Sequence, residues 1–186
     1  MTGRAVPGSP RRLVVVPLVV LLAACSLSAD EQTAARNLAS VIGDRTAPES
    51  TQEAASCVAE RWVGEAGTEA LEEDGLLRRD LKVRQRAVRR LLAGRGMVSE
   101  QTAGAYAAAE LSCRDHDVIA LDQRASHPGA SDEDLDEYAD CLKEIDRSTL
   151  REAIIATLTG DPDAPVVREA GLAEAACSSA LAQAAR

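Results

Sequence analysis

The chain contains no phenylalanine, and Trp62, Tyr106 and Tyr138 are its only aromatic residues. A hydrophobic core must therefore be built mainly from aliphatic side chains and alanine. The same scarcity excludes the rows of aromatic rings that sugar-binding proteins use and on which single-stranded nucleic acids stack.

Histidine is also scarce, since only His116 and His127 are present. The run Asp115-His116-Asp117 offers metal-ligand types, but successive helical residues point about 100° apart and do not converge on one ion. A turn that brings Asp115 and His127 together would still allow a metal site, so this alternative stays open. No serine lies in a Gly-x-Ser-x-Gly motif, and there is no phosphate-binding glycine loop or Cys-x-x-Cys pair. The sequence predicts a protein without catalytic residues, metal or cofactor, and not an enzyme.

Basic residues are outnumbered, at 21 against 30 acidic residues, which gives a net charge of −9 at pH 7. Removal of residues 1–24 would remove Arg4, Arg11 and Arg12 and no acidic residue, so the net charge would fall to −12. A strongly acidic domain disfavours nucleic-acid binding, and we expect no nucleic-acid partner.

The start of the chain has the features of an export signal. Arg11 and Arg12 precede an apolar run at residues 13–24, which ends in Leu-Ala-Ala before Cys25. A basic head, a short apolar segment and small residues before a cleavage site are typical of a secretory signal peptide. The Leu-Ala-Ala-Cys ending resembles the lipobox of bacterial lipoproteins. The resemblance implies cleavage before Cys25, lipidation of Cys25, and anchoring on the extracytoplasmic face of the cell membrane.

The first residues also allow three other interpretations. The apolar run would form about 18 Å of helix, shorter than a hydrocarbon core of about 30 Å, and Pro17 interrupts it, which disfavours a retained transmembrane helix. Ordinary cleavage after Ser28 would release a soluble secreted protein. Twin-arginine export is disfavoured because the residues after Arg12 lack the expected Phe-Leu-Lys character.

Helix start signals recur ahead of apolar residues spaced three and four apart. Potential capping boxes pair Ser28 with Glu31 and Ser131 with Asp134. Further helix starts are predicted at Ser50, Ser99, Asp117 and Ser148, and another helix at residues 77–92. No segment alternates apolar and polar residues, so the expected fold is all-α, a compact multi-helix domain. We assign residues 1–24 to the signal peptide, 25–49 to a lipidated N-terminus and tether helix, and 50–186 to the helical domain.

Four cysteines remain besides Cys25, an even number in an exported chain, which favours two disulfides. Spacing alone does not choose among the three possible pairings, and four unpaired buried thiols are the alternative. Cys57 and Cys141 share an Ala-x-Cys-aliphatic-x-Glu motif, whereas Cys113 and Cys177 share Ala-Glu-x-x-Cys. This order is typical of a duplicated helical unit. It predicts the pairs Cys57–Cys113 and Cys141–Cys177, each closing one of two related units.

Several short motifs support a resemblance that covers roughly residues 50–180. They are Cys57-Val58-Ala59, the Gly-x-x-x-Leu stretch at 67–71 with Gly75-Leu76-Leu77, the helix ending at Cys113, Ala139-Asp140-Cys141-Leu142, residues 150–158 and the terminal cysteine helix. With these motifs the chain resembles small secreted or lipid-anchored four-cysteine helical proteins of actinobacteria. The resemblance implies the helical fold and the disulfides, and no activity or site residues.

An arginine-rich segment at residues 78–95 departs from that pattern. Its eight basic residues against a single acid, Asp80, give it a charge of +7 within an acidic protein. One interpretation is a solvated helix face that balances the acidic cluster at 132–137. The other is contact with anionic lipid headgroups, wall polymers or an acidic protein. Possible contact residues are Arg84, Arg86, Arg89 and Arg90.

The leading functional hypothesis is a non-enzymatic, lipid-anchored cell-envelope protein that binds an envelope protein or an anionic envelope component. An alternative is a module that binds a small apolar or anionic ligand between its helices. A hydrolase or metal enzyme is a weaker third possibility, which clustered His, Asp and Ser residues in a cleft would favour.

Overall fold

A computed structural model describes residues 27–43, 49–124 and 126–184 of the chain. Within those ranges it contains nine helices and no strands, which confirms the all-α prediction. The helices are α1 (Ala29–Ile42), α2 (Glu49–Ala66), α3 (Thr68–Glu73), α4 (Gln85–Leu92), α5 (Glu100–Cys113), α6 (His116–Gln123), α7 (Asp132–Lys143), α8 (Arg147–Thr159) and α9 (Pro165–Ala184).

The helices from α1 to α5 form a first group around one hydrophobic core. Trp62 of α2 lies at its centre with no exposed surface, and its Nε1 donates to the carbonyl of Thr102 at 3.0 Å. Its ring meets that of Tyr106 edge to face, with centroids 4.9 Å apart. Because few other aromatic residues exist, alanines of α1, α2 and α5 fill the remaining space and let these helices pack closely.

A second, smaller group consists of α6, α7 and α9. Its core contains Leu135, Tyr138 and Leu142 of α7 with Cys177 and Leu181 of α9. Helix α8 lies between the groups, since it packs against α5 on one side and α9 on the other.

The two disulfides have the predicted pairing. Cys57–Cys113 joins α2 to α5 in the first group, and Cys141–Cys177 joins α7 to α9 in the second. The Ala-x-Cys-aliphatic-x-Glu motif therefore contains the first cysteine of each disulfide, on the earlier helix. The Ala-Glu-x-x-Cys motif contains the second cysteine, on the later helix.

Helix α1 belongs to the first group by its packing. It buries Ala34, Ala35 and Leu38 against α2 and its neighbours. Leu27, just before α1, packs against the first core. The folded part of the protein therefore begins no more than two residues after Cys25, which itself lies outside the described residues.

Local capping follows the sequence closely, with three corrections. The predicted start at Ser50 is wrong, because α2 begins at Glu49 and Ser50 lies within it. The capping boxes at Ser28 and Ser131 are both present, and Ser99 accepts from the Thr102 amide. The predicted starts at Asp117 and Ser148 are wrong, because Asp115 and Asp146 cap α6 and α8 two residues earlier. In each case the upstream carboxylate reaches an amide in the first turn, which satisfies a donor that the helix itself leaves unpaired.

The predicted helix over 77–92 is also wrong in its first half. Residues 76–84 form a turn in which Leu77 and Val83 make an isolated bridge, and α4 begins only at Gln85. Gly75 and Leu81 both have positive φ, at 72° and 59°. A right-handed helix requires negative φ throughout, so the apolar spacing of this segment matches the helical period without forming a helix.

Candidate functional site

A cleft opens where the two helix groups meet, on either side of α8. It consists of two adjoining cavities of about 410 Å³ and 610 Å³. Leu111, Ile119, Leu150 and Glu174 line both cavities, so the two adjoin along these side chains. Each volume lies within the range of about 300–1,000 Å³ that is typical of small-molecule sites.

The first cavity is largely apolar. Its aliphatic walls come from α4, α5, α6, α8 and α9, and they include Leu92, Leu111, Ile119, Leu150, Ala153, Ile154, Leu158, Val167 and Ala170. Leu111, Leu150 and Val167 are only half-buried and belong to neither hydrophobic core. These side chains therefore leave apolar surface facing the cleft that a bound apolar group would cover.

A chain of hydrogen bonds closes one wall of this cavity. The Tyr106 hydroxyl donates to Glu110 at 3.0 Å, and Arg114 donates to the other oxygen of Glu110 at 3.0 Å. Arg114 also pairs with Asp122, which accepts from Thr51 at 2.9 Å. Burial raises the pKa of Tyr106 well above its usual range, so its hydroxyl stays a proton donor. The network is satisfied internally, and it ties α2, α5 and α6 together.

The second cavity is more polar, but most of its charged residues already have partners. Lys143 pairs with Asp140 at 2.8 Å, and the Asp115 carboxylate accepts from the Val118 amide at the start of α6. Arg114 belongs to the network just described. Arg147 donates to the Leu111 carbonyl but takes part in no ion pair, and Glu174 has neither a hydrogen bond nor an ion pair among the described residues.

Glu174 has an unusual environment for a carboxylate. Although the residue as a whole is exposed, burial of its carboxyl among neighbouring atoms raises the pKa of Glu174 above its ordinary value. Among the described residues no hydrogen bond or ion pair offsets this desolvation, so the ionised form is less favourable in the folded protein than in the unfolded chain.

We expect the substitution Glu174→Gln to stabilise the protein at neutral pH. The pKa of Glu174 is higher in the folded state than in the unfolded state. Its contribution to the free energy of unfolding is therefore lost as the pH rises through these two pKa values. The ionised carboxylate therefore lowers the free energy of unfolding at neutral pH, whereas below both values it has no effect. Melting curves of both forms at neutral pH and at about pH 3 would measure this difference.

Glu169→Gln, at an exposed position on the same helix, is the matched control and should leave the melting temperature unchanged. A lower melting temperature for Glu174→Gln at neutral pH would mean that Glu174 has a stabilising partner.

Leu92 is the one residue of the arginine-rich segment among those that line the cleft, and none of the segment's basic side chains does so. All eight of its basic residues are exposed, including Arg84, Arg86, Arg89 and Arg90, while Val88 and Leu91 of α4 point into the first core. Among the described residues its only ion pair is Lys82 with Asp80, at 2.8 Å. No ion pair joins it to the acidic cluster at 132–137, where Asp132 pairs with Arg124 and Asp134 completes the capping box of α7.

The structure also places the residues considered for catalysis and metal binding. His116 is the first residue of α6 and lines the second cavity, and His127 lies in the loop before α7. Within residues 27–43, 49–124 and 126–184, no group of three His, Cys, Asp or Glu residues is placed to hold a metal ion. In the same ranges no helix is both long and apolar enough to cross a membrane.

Sequence reasoning missed the cleft, although one signal for it was present. The shared Ala-Glu-x-x-Cys motif puts Glu110 and Glu174 one helical turn before the closing cysteines, and both glutamates line the first cavity. The motif therefore contains the closing cysteines and also the two carboxylates of the cleft.

Comparisons of this chain with protein-family models, with curated proteins and with solved structures find no match.

Proposed function

We propose that the protein is a non-enzymatic, lipid-anchored cell-envelope protein whose helical domain is held against the extracytoplasmic face of the membrane. The export signal and the Leu-Ala-Ala-Cys ending support the anchor. The packing of Leu27 against the first core supports close placement, because only Ser26 separates Cys25 from the packed part of the chain. At about 3.5 Å per residue, this linker spans roughly 7 Å.

The four arginines Arg84, Arg86, Arg89 and Arg90, here called the arginine surface, support binding to an anionic envelope component. Their exposure without ion pairs is the observation that carries the proposal. Arg84 and Arg86 lie at the start of α4, where the helix dipole disfavours positive charge. Since these positions are electrostatically unfavourable within the fold, their charge is better explained by a partner outside it.

We expect the arginine surface to bind anionic vesicles in a salt-dependent manner. The test uses the lipid-free mature chain, residues 26–186 produced behind a conventional cleavable export signal, so that no acyl chain inserts into the vesicle. Each arginine near an anionic bilayer contributes about 1 kcal/mol, so replacing all four with glutamine should remove most of the binding. Raising the salt to about 1 M shortens the Debye length to about 3 Å and should release the unsubstituted chain.

The matched control replaces four other exposed arginines with glutamine, Arg36, Arg61, Arg151 and Arg168. It removes the same charge and should retain vesicle binding in co-sedimentation. Equal losses in both variants would show that net charge, and not the arginine surface, governs binding. Absence of binding by the unsubstituted chain would refute this role.

The cleft supports a second candidate function, the binding of a small ligand between the helix groups. The half-buried Leu111, Leu150 and Val167, which join neither core, are the observation that favours it. An anchored domain with such a cleft would present a ligand site close to the membrane surface.

A further inference from the structure

Two unpaired charges of opposite sign face the polar cavity of the cleft. Arg147 and Glu174 both line it, and no ion pair joins them to each other or to another described residue. Opposite charges at one site normally lower their energy by pairing or by binding a charged ligand. Here each of the two charges is available to a separate charged group of a ligand.

Arg147 is held in place but not saturated. One of its guanidinium nitrogens donates to the Leu111 carbonyl in the last turn of α5. A guanidinium carries five N–H donors, so the contact fixes its position and leaves other donors for an anion.

The two halves of the chain, each containing one disulfide, differ at the residue directly after the closing cysteine. This residue determines whether the cleft glutamate has a cation beside it. In the first half, Arg114 directly follows Cys113 and pairs with Glu110 four residues before it. In the second half, Ser178 follows Cys177, so Glu174 has no cation at the matching position. Burial raises the pKa of Glu174, and no cation at this position offsets that desolvation.

We propose that the cleft binds a single-chain amphiphile with a zwitterionic head group, with its hydrocarbon chain in the apolar cavity, its ammonium group on Glu174 and its anionic group on Arg147. This inference rests on the second candidate function, for which it names the ligand class. Charge-assisted hydrogen bonds at both ends of the head group would orient it, and the aliphatic walls would cover the chain.

The lining disfavours simpler ligands. A fatty acid would place its carboxylate on Arg147 but close to the uncompensated Glu174, which repels it. An alkylamine would satisfy Glu174 and leave Arg147 without an anion. A neutral hydrocarbon chain would further desolvate Glu174 without forming a hydrogen bond or ion pair that offsets this cost.

Equilibrium dialysis of the lipid-free mature chain tests the assignment directly. The described core begins at Ala34, so this chain retains all of it. The main probe is a lysophosphatidylethanolamine below its micelle concentration. Comparison probes with the same hydrocarbon chain are a fatty acid, an alkylamine and an alkyl alcohol, and glycerophosphoethanolamine supplies the head group alone. We expect saturable binding that is tightest for the lysophosphatidylethanolamine and weak for the chain-free head group.

Three substitutions then separate the two contacts. Glu174→Gln should weaken binding of the lysophosphatidylethanolamine and the alkylamine by about tenfold, without weakening that of the fatty acid. Arg147→Gln should weaken binding of the lysophosphatidylethanolamine and the fatty acid by about tenfold, without weakening that of the alkylamine. Ser178→Arg restores the cation found in the first half, and it should mimic Glu174→Gln by neutralising Glu174.

Glu169→Gln and Arg151→Gln, exposed residues of the same two helices outside the cleft lining, are the controls and should bind like the unsubstituted chain. Unchanged helical circular dichroism would show that each variant is folded. Equal binding of all four chain-bearing probes, unaffected by the three substitutions, would overturn the head-group assignment and leave an apolar ligand site. Absence of saturable binding by any probe would overturn the ligand site as well.

Discussion

Replacing Cys25 with alanine is expected to abolish lipidation, and either to release the protein from the membrane fraction or to trap it as an uncleaved precursor. The thiol of Cys25 is the atom to which the proposed lipid is attached, and alanine has no nucleophile to replace it. Lipid anchors bind membranes by burying hydrocarbon, at about 0.8 kcal/mol per CH₂ group, so the loss of the acyl chains should be decisive. Detergent phase partitioning and intact mass spectrometry measure the two consequences.

Ser26→Ala, next to the proposed lipidation site, is the matched control and should retain the acyl mass and the detergent partitioning. The result that contradicts the anchor is an unsubstituted protein that stays in the aqueous phase with no acyl mass. Lipidation should not affect the fold, since the described core residues begin at Ala34. The melting temperature of the released, mature Cys25→Ala chain should therefore equal that of the lipidated protein.

Removing either disulfide is expected to cost about 4 kcal/mol of unfolding free energy. The bonds close loops with sequence separations of 56 and 36 residues, and the loop-entropy model predicts nearly equal values because the cost grows only with the logarithm of loop length. The total free energy of unfolding of a domain is about 5–15 kcal/mol, so each loss is a large part of its stability. The melting temperature should fall by roughly 10 °C in each of the double variants Cys57→Ser/Cys113→Ser and Cys141→Ser/Cys177→Ser.

The two losses should differ in where the protein opens. The first disulfide joins helices that already share the larger core around Trp62, whereas the second joins α7 and α9 in the smaller core. Loss of Cys141–Cys177 should therefore expose amides of α6, α7 and α9 to hydrogen exchange before those of the first group. Uniform loss of protection across both groups would contradict this, and a cost below about 1 kcal/mol would contradict the loop-entropy argument.

Much of the fold was predictable because its causes are local. The Ser28–Glu31 and Ser131–Asp134 capping boxes lie within one helical turn, so the sequence shows both partners at once. Cysteine pairing was predictable for a related reason, since repeated motifs place the paired cysteines on equivalent helices. The turn at 76–84 was not predictable, because the apolar spacing around it fits a helix and only the backbone reversal with Leu81 at positive φ excludes one.

The sequence by itself determined that the protein is helical, how its cysteines pair and where its basic residues concentrate. Only the tertiary structure decided which charged residues face the cleft. Glu110 and Glu174 occupy the same motif, yet one lies in a network with Arg114 and Tyr106, and the other faces an open cleft. The physical reason is that ion pairs and cavities depend on the side chains that packing brings across from a residue. Helix α8 lies between the two groups, and Arg147 at its start lines the same cavity as Glu174 of α9.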